Sequence, residues 1–219
     1  MNHTESMTTE QIWRAVATER TSLADLLAEL TESDWDRQSL CADWRIRDVV
    51  AHVVQCTRAN LGWILVNLIR ARGNVHGALR DAAIRHADRV TTHQLLADLR
   101  AGAASRFTPV GTVPADRLMD VLVHGQDIAI PLGVVREMPA EAARSALDRV
   151  WATGSRFHIE ERLAGYCLTA TDIEWSAGDG LLVEGTAGAL LLLATGRPAA
   201  APLLTGPGAA ALAERLRMV

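Results

Sequence analysis

Two segments of the sequence carry the pattern Asp-x-x-x-His: Asp48 with His52, and Asp120 with His124. On an α-helix, residues four positions apart lie on the same face, one turn from each other. Two facing helices that bear such pairs can converge on a metal ion, because a bundle core holds the ligands on rigid backbone. Since the spacing alone recurs by chance, the pattern indicates a candidate metal site and does not establish one.

Helical-wheel geometry, at about 100° per residue, separates these four residues. His52 falls on the apolar face of its segment together with Cys56. Asp48 lies near the expected helix start, where a carboxylate interacts favourably with the helix dipole. Asp48 is therefore interpreted first as a helix-start residue and only second as a ligand. Asp120 and His124 share one polar arc on a helix whose remaining circumference is mostly apolar.

Each of these residues also has a purely structural interpretation. A lone histidine on an apolar face is more often a hydrogen-bonded core residue than a ligand, and a polar arc is often a solvated face. The combination favours a metal: His52, Asp120 and His124 supply two imidazoles and a carboxylate, and leave a coordination position open as in a catalytic zinc site. Cys56 is a ligand, a redox thiol or a buried inert thiol, and the sequence favours the last.

Composition excludes several classes of function. All 22 basic residues are Arg, so chemistry that needs a Schiff-base or phosphate-loop lysine is excluded. The net charge of -4 predicts no nucleic-acid or anionic-membrane partner. Cys41, Cys56 and Cys167 are odd in number and widely spaced, which predicts free thiols in a reducing, cytoplasmic compartment. We expect no secretory signal at the N-terminus, and the apolar stretch 187–194 is too short to span a bilayer.

Helical periodicity dominates the chain up to about residue 157. Capping boxes at Thr8 and Thr91 and first-turn prolines at Pro114 and Pro139 mark the starts of helices. The expected helices cover about 8–30, 46–72, 77–89, 92–106, 114–131 and 139–157. Such a succession, joined by short connectors, predicts a four-helix bundle over residues 1–157.

The character of the sequence changes after about residue 162. Short segments at 166–170, 172–176 and 181–183 are typical of strands, and the Gly178–Gly180 turn between the last two predicts a hairpin. Apolar helices are expected over 186–195 and 209–217. The predicted fold class is therefore α+β, with the bundle followed by a small α+β domain over 162–219.

Three parts of the chain resemble one known family. Residues 35–53 read WDRQSLCADWRIRDVVAHV and residues 120–133 read DVLVHGQDIAIPLG, and the tail contains TDIEWS, GDG and LATGRP. These runs resemble the two histidine-bearing signatures and the small C-terminal domain of the mycothiol-dependent maleylpyruvate isomerase family, within the DinB-like helical-bundle superfamily.

The resemblance implies a divalent metal, with zinc as the expected ion, held by His52, Asp120 and His124. The family usually has Glu where this chain has Asp120, so the shorter arm could shift the geometry. Asp127 is then either a fallback carboxylate or a partner that orients the His124 imidazole. The family also uses an arginine from the C-terminal domain, for which Arg197 is the best match.

Coordination to a metal deprotonates a thiol, and the resulting thiolate attacks electrophiles. The expected function is therefore a metal- and mycothiol-dependent thiol transferase or isomerase, whose partners are a low-molecular-weight thiol and a small electrophile. Two alternatives stay open. One is a non-catalytic metal- or small-molecule-binding bundle protein that has lost the chemistry, and the other is metal-dependent hydrolysis.

Overall fold

A computed structural model of the chain describes residues 6–58, 75–109 and 111–217. The fold is α+β, as predicted, and its contacts divide into two compact units. The first unit is Thr9–Arg136, and the second is Glu137–Val219 together with Met1–Thr8. The domain boundary predicted from sequence lies at residues 157–162. The sequence-based boundary assigns the helix Ala140–Ala152 to the bundle, whereas the contacts assign it to the second unit. There it packs against the apolar helix Ala187–Ala194.

The described part of the first unit is helical. Its helices are α1 (Thr9–Ala28), α2 (Glu32–Trp35), α3 (Ile46–Arg58), α4 (Val75–Ala87), α5 (Thr92–Ala101) and α6 (Pro114–Leu132). Helix α1 packs against α5 and α6, and α3 packs against α4, α5 and α6. The predicted start of α3 at Ile46 is confirmed, while its predicted continuation over 59–72 lies outside the described residues.

Local sequence signals account for several helix ends. The Thr91 hydroxyl accepts a hydrogen bond from the Gln94 N–H at 3.1 Å and so caps the start of α5. Pro114 is the first residue of α6, where its missing N–H costs nothing. Helix α6 ends at Leu132 and is followed by Gly133, whose φ of 71° lies in the left-handed region that glycine adopts without strain.

Helix α5 ends at Ala101, earlier than the predicted Arg106. The reason is a buried side chain from α1: the Arg20 guanidinium donates to the backbone carbonyls of Gly102, Ala103 and Ser105, the last at 2.8 Å. These carbonyls follow the last helical turn, and that of Gly102 also accepts a hydrogen bond from the Ser105 N–H at 3.0 Å. A tertiary contact therefore sets this helix end, and helical periodicity does not reveal it.

A loop of residues 36–45 joins α2 to α3 and packs on α6. The Leu40 N–H donates to the Asp127 carbonyl at 3.0 Å, and the Gln38 amide donates to the Cys41 carbonyl at 2.8 Å. Trp44 is buried in the core of the unit. The loop is therefore held against the helix that carries Asp120 and His124.

The core of the first unit is apolar. Full burial of each large aliphatic side chain contributes about 1.5–3 kcal/mol to stability. Its members from α1, α3, α5 and α6 include Leu23, Leu27, Ile46, Val50, Val54, Leu95, Leu99 and Ile128.

The second unit combines helices with a three-stranded sheet. Its elements are α7 (Ala140–Ala152), α8 (Ile159–Leu163), β1 (Gly165–Ala170), β2 (Ser176–Ala177), β3 (Gly180–Gly185), α9 (Ala187–Ala194) and α10 (Ala209–Arg217). Every residue of α9 is buried, and the helix packs against α7. Among the described residues, no helix combines the length and the apolar composition that crossing a bilayer would require.

The predicted hairpin at Gly178–Gly180 is wrong. Strand β1 is central, with β2 antiparallel on one side and β3 parallel on the other, so β2 and β3 are not neighbours. The chain instead crosses past the start of β1 between them. A Cβ at Gly178 would lie 2.4 Å from the Tyr166 carbonyl oxygen, and one at Gly180 would lie 2.1 Å from the Gly165 carbonyl oxygen. The glycines therefore permit a close backbone crossing and not a hairpin turn.

Candidate metal centre

Helices α3 and α6 bring the three predicted ligands together. His52 projects from α3, and Asp120 and His124 project one turn apart from α6. The Asp120 Oδ1 atom lies 3.3 Å from His52 Nε2 and 3.7 Å from His124 Nε2. The two imidazole ring centroids are 4.9 Å apart. The inward orientation predicted for His52 and for the Asp120/His124 arc is therefore what the packing of α3 on α6 produces.

Asp127 orients the second histidine. Its Oδ2 atom lies 2.8 Å from His124 Nδ1, and the side chain is completely buried. An Nδ1–H that donates to this carboxylate leaves the lone pair on Nε2, the nitrogen nearer to Asp120. Of the two roles left open for Asp127, the geometry fits the orienting partner.

Two cysteines adjoin the histidines. The Cys41 Sγ atom donates to Asp127 Oδ2 at 3.0 Å and lies 3.9 Å from His124 Nδ1. The Cys56 Sγ atom lies 3.6 Å from His52 Nε2. The spacing of Cys56 and His52 was a usable signal for this contact. Nothing in the sequence spacing indicated Cys41, because the loop 36–45 brings it to α6.

Asp48 is not part of the cluster. Its carboxylate accepts hydrogen bonds from the backbone N–H and from the guanidinium of Arg45, at 2.8–2.9 Å. The interpretation of Asp48 as a helix-start residue is confirmed, since both of its carboxylate oxygens accept hydrogen bonds from Arg45, the residue that precedes α3.

The cluster is buried and charged. Burial raises the pKa of Asp120, but the positive charges of His52, Arg117 and His124 outweigh it and hold that pKa well below its usual range. Burial likewise lowers the pKa of His52, and the negative charges of Cys56 and Asp120 outweigh it, so that pKa lies well above 6.5. The carboxylate is therefore an anion that lies between two imidazoles.

These donors fit a zinc-like ion. Two nitrogen or oxygen ligands at about 2.0–2.1 Å from a tetrahedral zinc lie about 3.3 Å from each other. The distances of 3.3 and 3.7 Å from Asp120 Oδ1 to the two Nε2 atoms are close to this value. Imidazole and carboxylate are also the ligand types that zinc prefers alongside thiolate.

An aromatic side chain covers the two histidines. The Trp44 ring centroid lies 5.2 Å from that of His52 and 6.0 Å from that of His124. The indole limits solvent access from this side, which strengthens the electrostatic interactions inside the cluster.

The family model of the mycothiol maleylpyruvate isomerase N-terminal domain matches residues 16–129 of this chain. The match covers more than half of the sequence, including α3 and most of α6. The chain belongs to the mycothiol-dependent maleylpyruvate isomerase family.

Solved structures of this family share the fold. The chain is similar to a crystal structure of the mycothiol-dependent maleylpyruvate isomerase, with 15% identity, coverage of 87% of this chain and 90% of that one, and a TM-score of 0.61. For a crystal structure of a histidine-to-alanine mutant of the same-named enzyme, the identity is 14%, the coverage is 93% and 94%, and the TM-score is 0.64. A search of curated protein sequences gives no match. The family resemblance predicted from the sequence is thereby confirmed.

The arginine matched to the family by sequence, Arg197, lies in the second unit. It is half-buried just after α9, and its guanidinium donates to the Thr195 carbonyl at 2.5 Å. Neighbouring Arg162 donates to the Leu193 carbonyl at 2.7 Å, and burial together with the charge of Arg197 lowers the pKa of Arg162. Two guanidinium groups therefore lie beside the C-terminal end of α9, where cations are favoured.

Proposed function

We propose that the chain is a metal- and mycothiol-dependent thiol transferase or isomerase that acts on a small electrophile. The observation that carries the proposal is the buried Asp120 carboxylate beside the Nε2 atoms of both histidines. A buried anion between two imidazoles is suited to binding a cation, and membership of the mycothiol-dependent family supports a thiol partner.

His52, Asp120 and His124 would hold a divalent ion, zinc by its ligand preferences. When bound, the ion lowers the pKa of a thiol below its usual value of about 8.5, so that a thiolate nucleophile is available at neutral pH. Asp127 keeps His124 in the tautomer that exposes the Nε2 lone pair. Trp44 and the apolar face of α3 restrict water at the cluster.

Arg197 would bind the electrophile. A guanidinium can pair with two oxygens of a carboxylate or enolate at once, which suits maleylpyruvate and similar acids. The family name supports this substrate class for the proposal. We also propose a cytoplasmic location, and the absence of a disulfide among Cys41, Cys56 and Cys167 is in keeping with a reducing compartment.

Metal analysis together with thiol-dependent turnover tests the proposal. Purified protein should contain about one divalent ion per chain, and His124→Ala should remove it because one ligand is lost. His93→Ala is the matched control, since His93 is exposed, and it should retain the metal. Turnover of maleylpyruvate should require added mycothiol.

Three outcomes would contradict the proposal. Full metal occupancy in the double variant His52→Ala/His124→Ala would refute the ligand assignment. Turnover without added thiol would favour metal-dependent hydrolysis. A metal-loaded protein that neither binds mycothiol nor turns over would be the non-catalytic binding protein.

A further inference from the structure

Cys56 belongs to the same group of donor atoms as two of the proposed ligands. His52 Nε2, Cys56 Sγ and a carboxylate oxygen of Asp120 all lie within 4.8 Å of one another. His52 and Cys56 are one turn apart on α3, so both side chains lie on the face that packs against α6. The one-turn spacing on α3 therefore places this sulfur beside the proposed metal ligands.

Two distances among His52, Cys56 and Asp120 match those within a zinc coordination sphere. With zinc–sulfur and zinc–nitrogen bonds of about 2.3 and 2.0–2.1 Å, a tetrahedral arrangement separates sulfur from nitrogen by about 3.5–3.6 Å. The distance from Cys56 Sγ to His52 Nε2 is 3.6 Å, and that from His52 Nε2 to Asp120 Oδ1 is 3.3 Å. Both values agree with a shared ion, so Cys56 is spaced as a ligand would be.

A buried arginine lies near this group of donor atoms. Arg117 is only 8% exposed, and its Nε and Nη1 atoms have no hydrogen-bond partner within 6–58, 75–109 and 111–217. This guanidinium interacts with Asp120, Cys56 and Asp116. A buried guanidinium is costly unless anions balance it, and the Asp120 carboxylate is such an anion.

A second buried guanidinium lies near the same residues. Arg20, from α1, is 2% exposed, and it interacts electrostatically with Asp120, Cys56 and Arg117. Its Nε atom also has no hydrogen-bond partner among the described residues.

We propose that Cys56 is a fourth protein ligand of the metal, bound as a thiolate while no substrate thiol is present. This inference rests on the metal site of the proposed function. A donor set of two nitrogens, one oxygen and one sulfur selects zinc or cobalt over magnesium and calcium, because thiolate is a soft ligand.

Cys56 has a second proposed role, toward the proton of a substrate thiol. His52, Asp120, His124 and Cys56 would hold the ion, and the ion would supply the acidity that lets a bound thiol lose its proton. The Cys56 sulfur would be the group that takes up this proton, with no atom oxidised or reduced.

Cobalt substitution tests the assignment without measuring activity. In thiol-free buffer, cobalt(II)-loaded wild-type protein should show a near-ultraviolet sulfur-to-cobalt charge-transfer band in addition to the visible cobalt bands. Cys56→Ala should lose the charge-transfer band and keep the visible bands. Cys167→Ala, whose cysteine lies in the second unit, is the matched control and should keep both. Adding mycothiol to cobalt-loaded Cys56→Ala should restore a charge-transfer band.

The outcomes separate this inference from the proposed function. Visible cobalt bands without a charge-transfer band in wild-type protein would overturn the role of Cys56 and leave the metal site standing. A band lost in Cys41→Ala and kept in Cys56→Ala would assign the sulfur to Cys41 and also overturn it. Failure of wild-type protein to bind cobalt or zinc would refute the site itself. Should Cys56→Ala not fold, X-ray absorption of the zinc-loaded wild type decides, since a sulfur scatterer at about 2.3 Å is expected.

Discussion

His52 and Asp120 show how burial and charge compete at a single pair of residues. Burial alone would make the imidazole and the carboxyl group neutral, because it penalises charged forms. Nearby charges reverse this for both: Cys56 and Asp120, the latter at 3.3 Å, raise the pKa of His52 above its ordinary value, and His52 and Arg117 hold that of Asp120 below its own. Without a metal, the pair is an ion pair, and with a metal His52 must give up its proton.

These pKa shifts predict that the stability of the metal-free protein and that of the metal-loaded protein depend on pH in opposite directions. Without metal, the raised pKa of His52 contributes stability that is complete below the unfolded value near 6.5 and is lost as the pH rises through the folded value. With metal, the ligands must be deprotonated, so stabilisation by the metal increases over the same range. Both trends can be measured as the melting temperature against pH, for protein freed of metal with a chelator and for zinc-loaded protein.

The control for this prediction is Asp120→Asn. It removes the carboxylate that raises the pKa of His52, so the fall in melting temperature of the metal-free protein should become shallower. His93→Gln should leave the slope unchanged, because His93 is exposed. Equal slopes in wild type and Asp120→Asn would contradict the ion-pair account.

At the residue scale, the sequence predicted what depends on helical position. The inward direction of His52 and the shared arc of Asp120 and His124 follow from periodicity, and the helix-start role of Asp48 follows from its place near the first turn. The contact between Cys41 and Asp127 could not be predicted, because it depends on how the loop 36–45 folds back on α6.

At the scale of elements, local chemistry predicted helix starts better than helix ends. Thr91 and Pro114 act at the first turns of their own helices, so a few neighbouring residues are enough to predict these helix starts. The end of α5 depends on Arg20, a residue more than eighty positions away in the chain. The strand order of the second unit was missed for a similar reason, since the Gly178–Gly180 segment has a hairpin-like composition but is used for a crossing.

Because the chain crosses close to the start of β1 at Gly180, we expect the stability of the protein to be sensitive to substitution there. Its φ is +124°, and an added Cβ would lie 2.1 Å from the Gly165 carbonyl oxygen. We expect Gly180→Ala to reduce the stability of the protein by about 3 kcal/mol or more, because backbone strain and a clash with a strand add together. Denaturant-induced unfolding monitored by circular dichroism measures the change.

Gly154→Ala is the matched control for the crossing. Among the described residues, a Cβ there would meet the Ile159 side chain and no other, at the ordinary contact distance of 3.5 Å. This substitution should change stability by less than about 1 kcal/mol. Comparable losses in the two variants would show that the crossing is not what makes Gly180 sensitive.

At the scale of the whole molecule, the proposed roles are divided between the two units. The proposed metal ligands lie within Thr9–Arg136, whereas Arg197 lies within Glu137–Val219. The division predicts that metal binding and electrophile binding can be separated by mutation.

Arg197→Ala tests this separation. It should lower kcat/KM for an acidic electrophile by about 10²-fold or more, because a charge-assisted bidentate pair is lost, while metal content stays at the wild-type level. Arg197→Lys should recover only part of the activity, since an ammonium group lacks the planar fork. Metal analysis and steady-state kinetics on the same preparations check both statements. Unchanged kinetics in Arg197→Ala would remove Arg197 from the site.

The indole of Trp44 has an optical consequence. Its ring lies 5.2 Å from the imidazole of His52 and 6.0 Å from that of His124, close enough for an imidazolium to quench its fluorescence. Metal binding replaces the imidazolium proton, so Trp44 emission should report occupancy of the cluster directly. The chain contains six tryptophans, and subtraction of the Trp44→Phe spectrum isolates this one signal. The protein therefore carries an intrinsic fluorescent reporter beside its candidate metal centre and needs no attached dye.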